Sequence, residues 1–285
     1  MSQAIARATE FDLQLPSGRL HAQRFGSGNA PLVICPPGLS ANMKAYDFIG
    51  ERIAGDSLQV VALDLRGRGK TEVTPAGTYG WAAHARDLFA AADALGADRF
   101  SIIGHSMGGL VAMAAAEQDA RRLERVVLID IAGAPDPSSL IAIQSSVARL
   151  GTVYPSTEFY IEAAKNLGLI EPWTAYWDRY FQYELEPVEG GVRARSDKDA
   201  VLEDSAYGAS HDPYALWPAL TMPVLLVYAT REILPGLGRI VNSADRERFA
   251  RDLPAAKVVD VDANHYTVAT VDATVRAIRE FFGLD

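Results

Sequence analysis

One serine of this sequence stands where a nucleophile would be expected. The apolar run Phe100–Ile103 leads directly into Gly-His-Ser-Met-Gly at 104–108, and an Ala-rich helical pattern begins at Leu110. A strand that turns straight into a helix strains the backbone at the corner, and glycines two positions to either side relieve the crowding. Ser106 lies at that corner with its hydroxyl exposed. The pattern favours a nucleophilic serine over a serine that only caps a helix.

A serine hydroxyl is a poor nucleophile near neutral pH, so a general base must take its proton. Around a strand–turn–helix serine of this kind, the chain order is serine, acid, histidine. The five histidines of the chain are His21, His84, His105, His211 and His265. His21 and His84 precede Ser106, and His105 is its immediate neighbour, so His211 and His265 remain as candidates for the base. His265 comes directly after the last apolar strand, where loops converge on a site, so we expect it to be the base.

Two carboxylates follow apolar runs and could orient the imidazole of His265. Glu232 stands just after the run Val224–Val227 with its short extension, and Asp130 ends the run Val126–Ile129. Either could accept the second ring proton and stabilise the imidazolium. The purely structural alternatives are that Asp130 caps a helix or loop and that Glu232 is an exposed loop carboxylate. We prefer Glu232 as the acid and keep Asp130 as the alternative.

Two backbone N–H groups aimed at one point are needed to stabilise a tetrahedral oxyanion. Met107, at the predicted helix start, is one candidate donor. The other is Leu39, in the turn that ends the apolar run Pro31–Cys35. Cys35 is expected to be a buried strand residue, not a nucleophile, because no electropositive group flanks it.

These residues need a framework of alternating strands and helices to bring them together. The apolar strand-like runs are Pro31–Cys35, Leu58–Leu63, Phe100–Ile103, Val126–Ile129, Val224–Val227 and Lys257–Val261. The helical patterns are Tyr46–Ala54, Trp81–Leu95, Leu110–Glu117, Asp245–Arg251 and Val271–Phe282. Two alternating segments at Phe11–Leu15 and Leu20–Phe25 indicate a hairpin before them. The order predicts an α/β fold with a mostly parallel sheet flanked by helices.

The interval 135–218 lacks any buried-strand run and is rich in aromatic residues. It contains three of the four tryptophans and seven of the eleven tyrosines. We expect residues 1–134 and 219–285 to form the core, and 135–218 to form a helical cap, or lid, inserted before the penultimate strand. An extra surface layer is the alternative. The candidate substrate contacts are Trp173, Trp177 and Tyr180, although aromatic residues at helical spacing more often form the interior of a lid.

Composition excludes several other classes of protein. Of the 285 residues, 27 are Lys or Arg and 36 are Asp or Glu, giving a net charge of −9, and no long basic block is present. Nucleic acid and anionic membranes are therefore not expected as partners. The single cysteine rules out a disulfide framework and a cysteine-built zinc site. With no secretory pattern in Met1–Glu10 and no membrane span, we expect a cytoplasmic protein.

The motifs together resemble the α/β-hydrolase superfamily over nearly the whole chain outside the insertion. Gly104–Gly108 matches the nucleophile elbow, Pro37–Leu39 takes the place of the oxyanion turn, and Asp64–Thr71 is similar to the Asp-x-Arg-Gly-x-Gly-x-Ser loop. Ala229–Glu232 resembles the segment that usually carries the acid, and Asn264–His265 the one that carries the histidine. The resemblance implies a sheet of about eight strands.

The sequence departs from the superfamily pattern at two positions. Proline stands at position 37 where the family has histidine, and glutamate stands at 232 where the family has aspartate. Some members take the acid from the strand that ends here at Asp130, so the resemblance keeps both carboxylates open. A serine at the elbow argues against epoxide opening and halide displacement, which use aspartate there.

The resemblance implies a serine hydrolase that acts, through an acyl-enzyme, on a small hydrophobic or aromatic carboxylic ester or lactone. We expect a small-molecule substrate, no cofactor and no metal ion, and leave a homo-oligomer open. Alternatives from the same residues are a carbon–carbon hydrolase of the meta-cleavage type, a cofactor-free haloperoxidase or oxygenase, and a hydroxynitrile lyase. A non-catalytic small-molecule receptor is the alternative outside enzymes.

Overall fold

Eight strands form one sheet at the centre of the computed structural model, which describes residues 6–284. The strands, numbered along the chain, are β1 (Thr9–Leu15), β2 (Gly18–Phe25), β3 (Leu32–Cys35), β4 (Gln59–Leu63), β5 (Phe100–His105), β6 (Leu123–Ile129), β9 (Val224–Ala229) and β10 (Lys257–Val261); the two short strands between β6 and β9 lie outside this sheet. Their spatial order is β1-β2-β4-β3-β5-β6-β9-β10. The predicted α/β fold, with a mostly parallel sheet of about eight strands, is confirmed.

The first hairpin is the antiparallel part of the sheet. β1 pairs with β2, and β2 pairs with β4, in antiparallel register, while every neighbouring pair from β4 to β10 is parallel. All residues of β3, β4 and β9 are buried. Their continuous apolar sequences therefore reflect a strand covered on both faces.

Helices cover both faces of the sheet. The helices outside the insertion are α1 (Asp47–Ile53), α2 (Trp81–Ala94), α3 (Met107–Asp119), α8 (Ser243–Asp252) and α9 (Asp272–Phe282). Apolar residues of α2, α3 and α8 pack in one core cluster, and those of α1 and α9 pack in the other. The sheet therefore separates two cores, and its carboxyl edge is left for a site.

The segment between β6 and β9 contains more than helices. It comprises α4 (Leu140–Ala148), α5 (Thr157–Asn166), α6 (Ala175–Glu184), β7 (Leu185–Val188), β8 (Gly191–Ala194) and α7 (Lys198–Ser210). The two short strands form an antiparallel hairpin outside the main sheet. The insertion is mainly helical, and the hairpin is a feature that the sequence analysis did not predict. Four-residue strands around two glycines carry too little alternation to be recognised in sequence.

The helices of residues 6–284 include none that is long and apolar enough to cross a membrane.

Candidate active site

Ser106 occupies a strained corner between β5 and α3. Its backbone has φ 54° and ψ −126°, a conformation that side-chain-bearing residues rarely adopt, and its N–H donates to the Ile129 carbonyl at 3.1 Å. A Cβ at Gly108 would lie 1.9 Å from the Pro36 oxygen, and one at Gly104 would lie 2.3 Å from the Gly108 oxygen. Both glycines are required by this close approach. The chain thus presents the half-buried Ser106 side chain at the carboxyl edge of the sheet.

The imidazole of His265 is held by Asp130. Nδ1 of His265 lies 2.8 Å from Oδ2 of Asp130, and both side chains are buried. The other carboxylate oxygen of Asp130 accepts the Ala229 N–H at 3.1 Å. Because an ionised carboxylate only accepts hydrogen bonds, Nδ1 carries the proton and Nε2 is left free to act as a base.

Asp130 reaches His265 through an unusual backbone conformation. Its φ is +48°, and within residues 6–284 only Ser106 among other non-glycine residues also has a positive φ. Aspartate tolerates this region better than most side chains. Two strained residues, at the ends of adjacent strands β5 and β6, therefore flank the same site.

The preference for Glu232 as the partner of the histidine is not met by the structure. Glu232 is exposed, and its carboxylate accepts the N–H of Gly236 at 2.9 Å within its own loop. The preceding residues Thr230 and Arg231 are tied by backbone hydrogen bonds to Val261 and Ala263. The chain leaving β9 thereby runs along β10, and the carboxylate of Glu232 projects into solvent while Asp130 contacts the histidine.

The turn that contains Leu39 packs directly against Ser106. A Cβ at Gly38 would lie 3.3 Å from Cβ and 3.7 Å from Oγ of Ser106. The Gly38 carbonyl accepts the Ala41 N–H at 3.1 Å, and the Leu39 carbonyl accepts Nε of Arg68 at 3.0 Å. Among the described residues the N–H of Leu39 donates to no partner, and Met107 is the first residue of α3, where N–H groups lack intrahelical acceptors. Leu39 thus follows the glycine that packs against Ser106, Met107 follows Ser106 in the chain, and within residues 6–284 neither N–H group has a hydrogen-bond partner.

His105 supports the loop of His265 and was not recognised from the sequence. Its Nε2 donates to the backbone carbonyl of His265 at 3.0 Å, and the two rings lie 4.6 Å apart. Burial, together with the neighbouring His265, lowers the pKa of His105 to about 3. His105 is therefore neutral at physiological pH and acts as a hydrogen-bond donor, not as a second base. Adjacency to the serine carried no signal of this contact.

The role of Asn264 was not predicted from the sequence: it connects the histidine loop to the insertion. Its side-chain oxygen accepts the N–H groups of Tyr266 and Thr267 at 3.1 and 3.0 Å. Its side-chain nitrogen donates to the carbonyls of Leu169 and Ile233 at 2.8 and 3.3 Å. The residue before His265 thus binds its own loop, the loop after β9 and the segment between α5 and α6.

The aromatic residues expected to contact substrate mainly pack on one another. Trp173 stacks on Phe181 with ring centroids 5.3 Å apart, and Trp177 meets Tyr180 edge-on at 5.6 Å. Their cluster also includes Tyr266 at its border, next to His265. These side chains therefore form the interior of the insertion, and their cluster meets the site at Tyr266.

A charged group lies inside the insertion close to the Leu39 turn. Arg149 pairs with the buried Glu184 at 2.7 Å and donates to the Tyr160 hydroxyl at 2.6 Å, while that hydroxyl donates to Glu184 at 2.9 Å. The same guanidinium lies 3.5 Å from the hydroxyl of Ser40. The positive charge of Arg149 is thus balanced beside the site.

Residues 6–284 include no group of three or more His, Cys, Asp or Glu side chains that could hold a metal ion.

Comparison with known proteins identifies the family and fold of this chain. Residues 31–270 match the family model described as "alpha/beta hydrolase fold". The chain is 25% identical over 285 residues to 2-(acetamidomethylene)succinate hydrolase of Mesorhizobium japonicum, covering 99% of this chain and 98% of the relative. It is 40% identical over 112 residues to N-formylmaleamate deformylase of Pseudomonas putida, covering 39% of this chain and 41% of the deformylase.

Solved structures show the same fold. The crystal structure of E-2-(acetamidomethylene)succinate hydrolase superposes with a TM-score of 0.86 at 22% identity, covering 97% of this chain and all of that one. The enol-lactonase from Burkholderia xenovorans superposes with a TM-score of 0.71 at 21% identity, covering 96% of this chain and 100% of that one. The family model matches residues 31–270, and the sheet order and the serine corner agree with it. The chain therefore belongs to the alpha/beta hydrolase family.

Proposed function

We propose that this protein is a serine hydrolase that cleaves small acyl compounds through an acyl-enzyme, with Ser106, His265 and Asp130 as the catalytic triad. One observation carries the proposal. The 2.8 Å bond from His265 to Asp130 fixes the imidazole in the tautomer whose free Nε2 can accept the serine proton. Glu232 has no part in it.

The proposed reaction has two balanced halves. His265 takes the proton of Ser106 as Oγ attacks the substrate carbonyl, and the oxyanion receives hydrogen bonds from the N–H groups of Leu39 and Met107. The imidazolium returns that proton to the leaving group, and the acyl-enzyme remains. His265 then deprotonates a water that attacks the acyl carbon, and the acid departs as the serine is reprotonated.

The proposed substrate is a small carboxylic ester or lactone with an apolar acyl group. Residues 135–218 would act as the lid, and Trp173, Trp177 and Tyr180 would contact the substrate from the side of Tyr266, which packs against their cluster. Large apolar and aromatic linings with few polar groups are typical of small-molecule sites.

A second candidate is hydrolysis of a carbon–nitrogen acyl bond. The relative that this chain matches over 98% of its length is named for an acetamidomethylene compound, and the partial match is named a deformylase. The first name denotes hydrolysis of a compound that carries an acetamido group, and the second denotes removal of a formyl group from an N-formyl compound. The same triad would perform this reaction, with His265 protonating the nitrogen leaving group.

The decisive experiment is serine labelling combined with turnover. We expect a fluorophosphonate probe to modify Ser106 alone, as located by peptide mass spectrometry, and Ser106→Ala to lose labelling and turnover while keeping its circular dichroism spectrum. The matched control is Ser210→Ala, since Ser210 is exposed and its hydroxyl only bonds Tyr207 and His211 at the end of α7. Turnover retained by Ser106→Ala would refute the proposal.

A substrate panel separates the two candidates. p-Nitrophenyl esters of increasing chain length, simple lactones, and N-formyl and N-acetyl enamides should be compared by kcat/KM. An ester or lactone preference supports the first candidate and an enamide preference the second. Cleavage confined to a vinylogous 1,5-diketone would instead favour carbon–carbon hydrolysis.

A further inference from the structure

A side chain, instead of a backbone hydrogen bond, joins β3 to β5 at their carboxyl ends. The last parallel register pair between these strands is Ile34 with Ile102. Beyond it, the hydroxyl of Tyr46 donates to the Pro36 carbonyl at 2.6 Å and accepts the His105 N–H at 2.9 Å. The phenol thus occupies the place of a ladder hydrogen bond where the two strands part.

The bonding of this hydroxyl leaves it no freedom. Tyr46 has 0% of its surface exposed, and burial raises its pKa well above the ordinary range, so the phenol keeps its proton. The Pro36 carbonyl can only accept, so the hydroxyl must donate to it and must accept from His105. Pro36 is buried and His105 is half-buried, and a backbone group removed from water without a hydrogen bond is destabilising.

The two backbone groups bonded to Tyr46 belong to the two segments beside Ser106, the Leu39 turn (residues 36–39) and the nucleophile elbow (residues 104–108), which we call the two walls of the site. His105 directly precedes the serine, and Pro36 begins the turn that carries Leu39. The walls touch again at Gly108, where no Cβ could fit beside the Pro36 oxygen. The Pro36 oxygen is therefore packed against the elbow on one side and bonded to Tyr46 on the other.

The direction of the turn is set by other contacts. Ala41 holds the Gly38 carbonyl, and Arg68 holds the Leu39 carbonyl. Neither contact spans from the turn to the elbow. The hydroxyl of Tyr46 does so, with one bond to each wall.

We propose that Tyr46 is a positioning residue that fixes the separation between the Leu39 turn and the nucleophile elbow, and so the fit of the oxyanion between the N–H groups of Leu39 and Met107. This inference rests on the proposed function. Removing the hydroxyl should let the walls shift, which weakens transition-state binding more than substrate binding.

The test is Tyr46→Phe, which keeps the ring and removes only the hydroxyl. We expect kcat to fall by about 10- to 100-fold, less than the loss of a whole oxyanion donor, with little change in KM. Affinity for a methyl trifluoromethyl ketone, which forms an oxyanion on the serine, should fall by the same factor. Affinity for the corresponding methyl carbinol, which cannot form one, should be unchanged.

The matched control is Tyr79→Phe. The Tyr79 hydroxyl also accepts a backbone N–H and donates to a backbone carbonyl, both of Thr74, in the loop before α2. We expect this variant to lose similar stability and no activity. A loss common to both variants would assign the effect of Tyr46 to stability alone and overturn the inference.

A second variant keeps the test valid if Tyr46→Phe does not fold. Replacement of Tyr46 by 4-aminophenylalanine retains a donor to Pro36 and weakens the acceptor for His105, so a smaller, parallel loss of kcat and ketone affinity is expected. Wild-type kcat and ketone affinity in either folded variant would overturn the inference while leaving the proposed function intact. Absence of turnover and labelling in the wild type would overturn both.

Discussion

Replacing Asp130 by asparagine should disable the site while leaving its shape almost unchanged. Asparagine matches aspartate in size and tolerates the left-handed backbone that Asp130 adopts at φ +48°, so no new backbone strain is introduced. Alanine would confound the comparison, because it fits that conformation less well and leaves the Ala229 N–H without its partner.

The local hydrogen bonds determine how the new amide would turn. The Ala229 N–H donates to one carboxylate oxygen of Asp130, so the amide oxygen is expected to stay there. The amide NH₂ then faces Nδ1 of His265, where the second carboxylate oxygen now lies at 2.8 Å. Because NH₂ donates, Nδ1 must become an acceptor and the ring proton moves to Nε2. In that tautomer His265 cannot take the serine proton.

The expected loss of activity follows from two changes: His265 takes the wrong tautomer, and the negative charge of the Asp130 carboxylate is removed. Such a change in a serine triad costs about 10⁴-fold in kcat, and we expect about 10³- to 10⁴-fold here, or about 4–5.5 kcal/mol of activation free energy. The assay is kcat for the best ester or enamide substrate, with circular dichroism and a thermal melt to verify folding. The control is Glu232→Gln, which keeps an acceptor oxygen for the Gly236 N–H and should retain wild-type activity.

The opposite result would refute the geometric reasoning. Loss of activity in Glu232→Gln with retention in Asp130→Asn would mean that the loop after β9 moves in solution to bring Glu232 to the histidine. Retention in both variants would mean that neither carboxylate orients His265.

Three further predictions concern stability and reactivity. The free energy of unfolding of Ser106→Gly, measured by urea titration, should exceed that of Ser106→Ala by about 1 kcal/mol, because only glycine adopts φ 54° and ψ −126° without strain. Equal free energies of unfolding would show that the corner is unstrained. The pKa of His105 in the folded protein, about 3, lies below the ordinary value of 6.5, so its contribution to stability is fully present above pH 6.5 and is lost, by up to about 1.4 kcal/mol per pH unit, as the pH falls toward 3. His105→Gln, whose amide can still donate to the His265 carbonyl, should lose less stability between pH 6 and 4 than the wild type, and parallel curves would contradict this. Cys35 is fully buried and burial raises its pKa, so Ellman's reagent should find no reactive thiol in the native protein and one after unfolding in guanidinium; rapid native labelling would contradict the packing.

The sequence located the parts of the site that depend on near neighbours along the chain. Gly-His-Ser-Met-Gly encodes its own corner, because the glycines that relieve the crowding are two residues from Ser106. The continuous apolar runs of β3, β4 and β9 are local signatures of strands buried on both faces. The placement of His265 in the loop after the final strand likewise followed from strand order alone.

Only the tertiary structure decided which carboxylate meets the histidine. Asp130 and Glu232 both follow strands, and those strands are neighbours in the sheet, so sequence position could not separate them. The choice depends on a positive φ at Asp130 and on the hydrogen bonds that draw the chain after β9 along β10. The contact of Tyr46 with His105, and those of Asn264 with Leu169 and Ile233, could not be predicted for the same reason, since these partners lie far away in sequence. Periodicity reports which face of an element is buried, whereas the partner of a polar side chain is fixed only when distant segments pack together.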